Sequence, residues 1–188
     1  MFDLPFILAS QSPQRRSLLT EAGFDFEIVP PADGLEDDPQ PNESPGNYVK
    51  RLALRKAENV LGKVNRGTVI ACDTTVFCNG EILGKPTDRA DAARMLRLLR
   101  GELHSVFSGL CVWSKSNDSP KVEESVSTLR MIEFSNAELD QYLDSGAWRG
   151  KAGAFGLQDR NGWIVLVDGS ESNVVGLPLE LLRRMMGE

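Results

Sequence analysis

The chain has one histidine, three cysteines and no basic excess, and each shortage removes a class of function. A lone histidine, His104, cannot build a His-based metal site, and neither H-E-x-x-H nor a Cys/His cluster occurs. It also has no suitably spaced nucleophile, so it reads as structural. Cys72, Cys78 and Cys111 make an odd count without a C-x-x-C pair, the pattern of reduced core thiols. A net charge of −6 argues against general nucleic-acid binding, although a few local cations could still hold a small polyanion. No apolar run approaches the ~18 residues of a membrane span, and no charged leader with an apolar core opens the chain. A cytoplasmic protein that engages neither membrane nor nucleic acid is expected. The G-x-x-x-x-G-K-[ST] loop is missing, as is G-x-G-x-x-G after a strand, so any phosphate site is built differently.

What is present is an α/β alternation without an obvious linker. A chain of 188 residues can bury one core, or two small lobes sharing one. Residues 6–9 predict a first strand, and Ser12-Pro13 then starts a helix that ends at Gly23. A strand over 24–29 leads into residues 30–43, where four prolines among Asp33, Glu36, Asp37 and Asp38 forbid a helix. Ser44-Pro45 opens a helix whose apolar face is Val49, Leu52, Ala53, Ala57 and Val60. Asn79-Gly80 marks a hairpin, 88–99 a helix closed by Gly101, and 103–113 and 121–134 two strands. A Ser135–Glu138 capping box, a Gly-rich loop, a strand around 163–167 and a helix from Pro178 complete the pattern.

Asp73 carries the most information. It lies inside TVIACDTTVF, a run rich in β-branched residues that predicts a buried strand of about 4–8 residues. Burying an unpaired carboxylate costs several kcal/mol, so Asp73 either caps the strand locally or serves a cation or catalysis. Three segments favour function: SPQRR at 12–16, GKP at 84–86 and AGAFGLQ at 152–158. The first puts Ser10, Ser12, Arg15 and Arg16 around a helix N-terminus, where free amides and the helix dipole attract anions. Lys85, between Gly84 and Pro86, sits where a ligand can approach the backbone closely. Lys56 borders the apolar helix face, and such a lysine either snorkels to solvent or turns to a ligand. A metal here would be a hard ion on carboxylates and substrate phosphates, with Asp73 and one acid of the 33–38 loop as donors.

Six ordered segments together resemble the Maf family of nucleoside triphosphate pyrophosphatases over nearly the whole chain. They are ILASQSPQRRSLL, the helix from Glu43 to Ala57, IACDTTVFCNGEILGKP, MLRLLRGELHSVFSG, KAGAFGLQ and GSESNVVGLPL. The resemblance implies a single 1–188 domain with a Maf/Ham1-like α/β fold: an elongated mixed sheet flanked by helices, two lobes and a central cleft. It implies cleavage of a nucleoside triphosphate between the α and β phosphates, with Mg²⁺ or Mn²⁺, and a homodimer. Carried over by position, Asp73 is the proton acceptor or metal-side carboxylate, with Lys85 and Glu36 beside it. Ser10, Arg15, Arg16 and Lys56 hold the triphosphate. Gln14, Thr74 and Gln158 occupy specificity positions. AGAFGLQ resembles the pattern of the dTTP/UTP subgroup, and the Gln158 amide can both donate to and accept from a pyrimidine edge. Gln14 departs from the family, which has Arg there in the pyrimidine group and Trp in the 7-methylguanosine group. Broader or 7-methyl-GTP specificity therefore stays open, as does a nucleotide-binding role in cell division with little turnover.

Overall fold

The computed structural model describes residues 2–159 and 161–187. Seven strands form one mixed sheet: β1 (Phe6–Leu8), β2 (Phe26–Ile28), β3 (Thr68–Cys78), β4 (Glu81–Leu83), β5 (Leu103–Ser114), β6 (Lys121–Met131) and β7 (Ile164–Asp168). Their order is β2-β1-β3-β5-β6-β7, with β4 paired to β3 off that path. β1 runs parallel to both β2 and β3, and every other pairing is antiparallel. The helices are α1 (Pro13–Glu21), α2 (Pro45–Leu61), α3 (Arg89–Leu99), α4 (Asn136–Ser145), α5 (Glu171–Val175) and α6 (Leu179–Met186). None of the described helices is long and apolar enough to cross a membrane.

Local chemistry sets most boundaries. The side chains of Ser12, Ser44, Asp88 and Ser135 cap α1, α2, α3 and α4 by accepting from backbone amides three residues on. The Ser135–Glu138 capping box is complete. Asn79 and Gly80 both have positive φ, 49° and 86°, as a two-residue hairpin turn between β3 and β4 requires. β2 and β6 are shorter than the strands expected over 24–29 and 121–134, and two further elements differ from the sequence expectation. β3 has 11 residues because β5 pairs with it from Thr68 to Phe77, so its hydroxylic second half stays in the sheet. α5, a five-residue helix inside GSESNVVG, has no apolar periodicity long enough to announce it.

The apolar side chains gather in three clusters that define two lobes. In one lobe, α1 and α6 pack on one face of β1, β3 and β5 through Leu8, Leu19, Ile70 and Leu182, while α2 covers the other face through Ala53, Ala57, Val69 and Ala71. The other lobe joins the distal ends of β3, β5 and β6 to β4, α3 and α4, with Leu96, Leu129, Leu139 and Trp163 inside. Between the lobes the sheet has a gap. On the side of β3 away from β5, β1 pairs as far as Ile70 and β4 begins only at Val76. Among the described residues no strand fills positions 71–75 on that side. Asp73 sits at the middle of this gap, and a cleft of about 880 Å³ opens over it.

Candidate active site

Strand alternation aims Asp73. Val69 and Ala71 pack against α2, so Asp73, two residues further, faces α2 as well. There Lys56 meets it. This lysine is 5% exposed and stands among Leu52, Ala53, Ala57 and Val60 on the buried face of α2, instead of snorkelling from its margin. Its Nζ lies 2.5 Å from Asp73 Oδ1 and 2.6 Å from Glu36 Oε1. Lys85 Nζ reaches the same Glu36 carboxylate, 2.8 Å from Oε2 and 3.1 Å from Oε1. The result is a continuous charge chain: Asp73, Lys56, Glu36, Lys85. Burial pushes Glu36 upward, but the two lysines outweigh it and hold the carboxyl at about 2, against an ordinary 4.5. Tyr48, one helical turn before Leu52, is pushed up to about 12 by burial and by the charges of Asp73 and Glu36.

The neighbouring acids of the loop do other work. Asp37 binds Arg51 and Arg55 of α2 at 2.6 and 2.7 Å, and its carbonyl accepts the Tyr48 hydroxyl at 3.0 Å. Arg51 also makes a bidentate pair with Glu43, 2.7 Å on each side. These bonds strap the proline-rich loop to α2 and turn Glu36 inward. Nothing in the sequence spacing announces that strap.

Thr74 points to the opposite sheet face and meets α1 and α5. Arg15 Nε donates to the Gly176 carbonyl at 2.8 Å, Nη2 to Thr74 Oγ1 at 3.3 Å and Nη1 to Ser10 Oγ at 3.5 Å. Thr74 Oγ1 is 2.9 Å from Ser108 Oγ, which donates to the Asn173 carbonyl at 3.3 Å. Ser10, Gln14 and Arg15 all line the cleft. Arg16, for which the resemblance implies a triphosphate contact, is not among them: it is exposed on α1 and outside the cleft lining. Successive helical residues point about 100° apart, so only one arginine of the pair can turn inward.

Gln158 lies on the far wall, in a loop of two short 3₁₀ turns, Ala152–Ala154 and Leu157–Asp159. The Gly153 amide donates to the Gly84 carbonyl at 3.0 Å, which ties this loop to the turn that carries Lys85. His104 is buried behind it, edge-on to Phe155 at 5.3 Å, and burial pulls its pKa down to about 4. That placement agrees with a structural role.

The cleft thus gathers Ser10, Gln14, Arg15, Glu36, Lys56, Asp73, Thr74, Lys85 and Gln158 from segments up to 148 residues apart in the chain. Sequence reasoning missed Ser108, Asn173 and Gly176, which back Arg15 and Thr74. The Arg15–Gly176 contact spans 161 residues, beyond any local signal. Among the described residues, no group of three or more His, Cys, Asp or Glu side chains could hold a metal alone. Asp73 and Glu36 nevertheless converge on one point, the Lys56 ammonium, so two hard oxygen donors already face a shared cationic position. That donor set fits a hard divalent ion that takes its other ligands from phosphate and water.

The chain is similar to known proteins along nearly its whole length. Residues 5–188 match the family described as Maf-like protein. A dTTP/UTP pyrophosphatase of Rhodopirellula baltica is 45% identical over 181 residues, covering 96% of this chain and 80% of the relative. A dTTP/UTP pyrophosphatase of Latilactobacillus sakei is 40% identical over 182 residues, covering 96% and 98%. Among solved structures, a HAM1 protein from Coxiella burnetii superposes with a TM-score of 0.52 at 15% identity, over 96% of this chain and 97% of that one, a likeness of fold. The chain belongs to the Maf-like protein family.

Proposed function

We propose that this protein is a cytoplasmic nucleoside triphosphate pyrophosphatase that converts dTTP and UTP to the monophosphate and pyrophosphate. The observation that carries the reading is the buried Lys56 bridging Asp73 and Glu36 inside a cleft whose opposite wall presents Gln158. The dTTP/UTP pyrophosphatase names of relatives 36–45% identical support the substrate class.

Phosphoryl transfer needs positioning and charge neutralisation more than covalent help. Lys56, Lys85 and Arg15 supply positive charge around the gap, and the α1 N-terminus adds its free amides. An incoming triphosphate competes with Glu36 for Lys85, which is half-exposed and free to turn. Asp73 holds the position for a general base that orients water toward the α–β bridge, on the unpaired side of a strand that β5 holds from Thr68 to Phe77. A Mg²⁺ or Mn²⁺ held by Asp73 and Glu36 would neutralise charge on the departing phosphates. Gln158 offers both a donor and an acceptor to a pyrimidine edge.

The test is pyrophosphate release from dTTP, UTP, GTP and 7-methyl-GTP with Mg²⁺ or Mn²⁺. The pyrimidine substrates should give the highest kcat/KM. A preference for 7-methyl-GTP would transfer the assignment to the group suggested by Gln14, and binding without turnover would replace it with a regulator.

A further inference from the structure

The Gly-rich loop is held by one side chain that the proposed chemistry does not use. Asp159 is only 10% exposed at its side chain and gathers three partners. It forms an ion pair with Lys151, closing the loop from its first residue to its last. Its Oδ2 accepts the Tyr142 hydroxyl at 2.6 Å and the Gly156 amide at 3.1 Å. The Gly156 amide belongs to the residue over which Gln158 folds. A Cβ built on Gly156 would stand 2.6 Å from both Nε2 and Oε1 of the Gln158 carboxamide. The carboxamide therefore rests on a glycine whose backbone Asp159 pins. Tyr142 extends the clamp into the core, where its ring packs 5.1 Å from Trp163.

We propose that Asp159, with Tyr142 and Lys151, is a positioning residue for base selection: it fixes the Gly156 platform and with it the place at which Gln158 meets the base. The proposal rests on the pyrophosphatase reading and deepens it. On a loose platform the carboxamide has no fixed distance to a base edge; on a pinned one it meets the base at one place, where only an edge of matching size and pattern can pair. Removing the clamp should relax selectivity before it harms the chemistry, because Asp73, Lys56 and Arg15 stand on other elements.

The experiment measures kcat and KM for UTP and GTP in wild type, Asp159→Ala, Tyr142→Phe, Gln158→Ala and the Gln158→Ala/Asp159→Ala double variant, with melting curves for each. Asp159→Ala should lower the UTP-to-GTP ratio of kcat/KM by on the order of tenfold, the scale of a charged hydrogen bond, mainly through the KM for UTP. Tyr142→Phe keeps the ring packing and should move the ratio in the same direction by less. In the Gln158→Ala background, Asp159→Ala should leave the ratio unchanged, because the residue it positions is gone. An unchanged ratio in both Asp159→Ala and Tyr142→Phe overturns the proposal. So does an equal loss on both nucleotides that adds fully to Gln158→Ala, the mark of a merely structural role. A wild type that releases no pyrophosphate from any nucleotide overturns the parent reading as well, which separates the two failures.

Discussion

Lys56→Met isolates the buried bridge. In the wild type Lys56 and Asp73 are a buried pair, with side chains 6% and 9% exposed, while Glu36 is 45% exposed and can recover water. Methionine keeps the stem and its packing against Leu52 and Ala57 but leaves Asp73 buried without a cation. Removing one member of a buried pair costs about 3–5 kcal/mol, most of it the stranded charge. The Glu36 half adds about 1 kcal/mol or less, because solvent screens it. At 2–4 °C per kcal/mol for a protein of this size, the resulting ~3–6 kcal/mol should lower the melting temperature by about 6–24 °C. Lys85→Met touches only half-exposed groups and should cost about 1 kcal/mol or less. Adding Asp73→Leu to Lys56→Met removes the stranded charge and should restore most of the stability, with no activity. The wild-type contribution of Glu36 comes from a pKa lowered to about 2, so it is present above about 4.5 and lost as pH falls toward 2. The gap between wild type and Lys56→Met should therefore narrow below pH 4.5. Thermal melts at pH 7.5 and pH 4 measure all of this. Equal melting temperatures for Lys56→Met and Lys85→Met, or a double variant no more stable than the single, would refute the reasoning.

Arg15→Ala should lower kcat/KM for UTP by about 1.5–3 kcal/mol of transition-state stabilisation, whereas Arg16→Ala should stay within about 0.5 kcal/mol; steady-state kinetics on both decides. Gln158→Glu removes a donor and adds charge at the base-reading wall, so dTTP and UTP turnover should lose about 1–3 kcal/mol in kcat/KM while a purine substrate loses less. His104 is buried with a pKa lowered from 6.5 to about 4, so its neutral form stabilises the fold above pH 6.5 and that stability drains away as pH falls toward 4. Relative to His104→Phe, the wild type should lose about 1.4 kcal/mol per pH unit across that window in unfolding free energy; parallel pH–stability curves for the two proteins would contradict it.

Much of the frame was legible because local chemistry wrote it. Capping residues at 12, 44, 88 and 135, the Asn79-Gly80 turn and the β-branched run around Asp73 each act within a few residues. A carboxylate in a buried strand also announced its own importance, since an uncompensated charge there could not persist. Other features depend on contacts that sequence spacing cannot express. Lys56 looked like a margin residue, and only the Asp73 carboxylate across the gap, 17 residues on, draws it under the apolar face. Arg15 and Arg16 are equivalent as letters; the carbonyl of Gly176, which caps α5, chooses between them. Glu36 reads as one of several acids in its loop; Asp37 is tied to Arg51 and Arg55, and Glu36 is the one that reaches Lys56 and Lys85. α5 is too short to show a period, yet its Asn173 and its capping Gly176 supply the carbonyls that organise the Arg15 face.

The most direct test of the central claim, that the Asp73–Lys56–Glu36 cleft cuts between the α and β phosphates, is the identity of the products formed from UTP with a divalent cation. The account predicts UMP and pyrophosphate in equal amounts, with Asp73→Asn folded but slower by about 10²-fold or more. Formation of UDP and orthophosphate, or an Asp73→Asn variant that turns over like wild type, would contradict it.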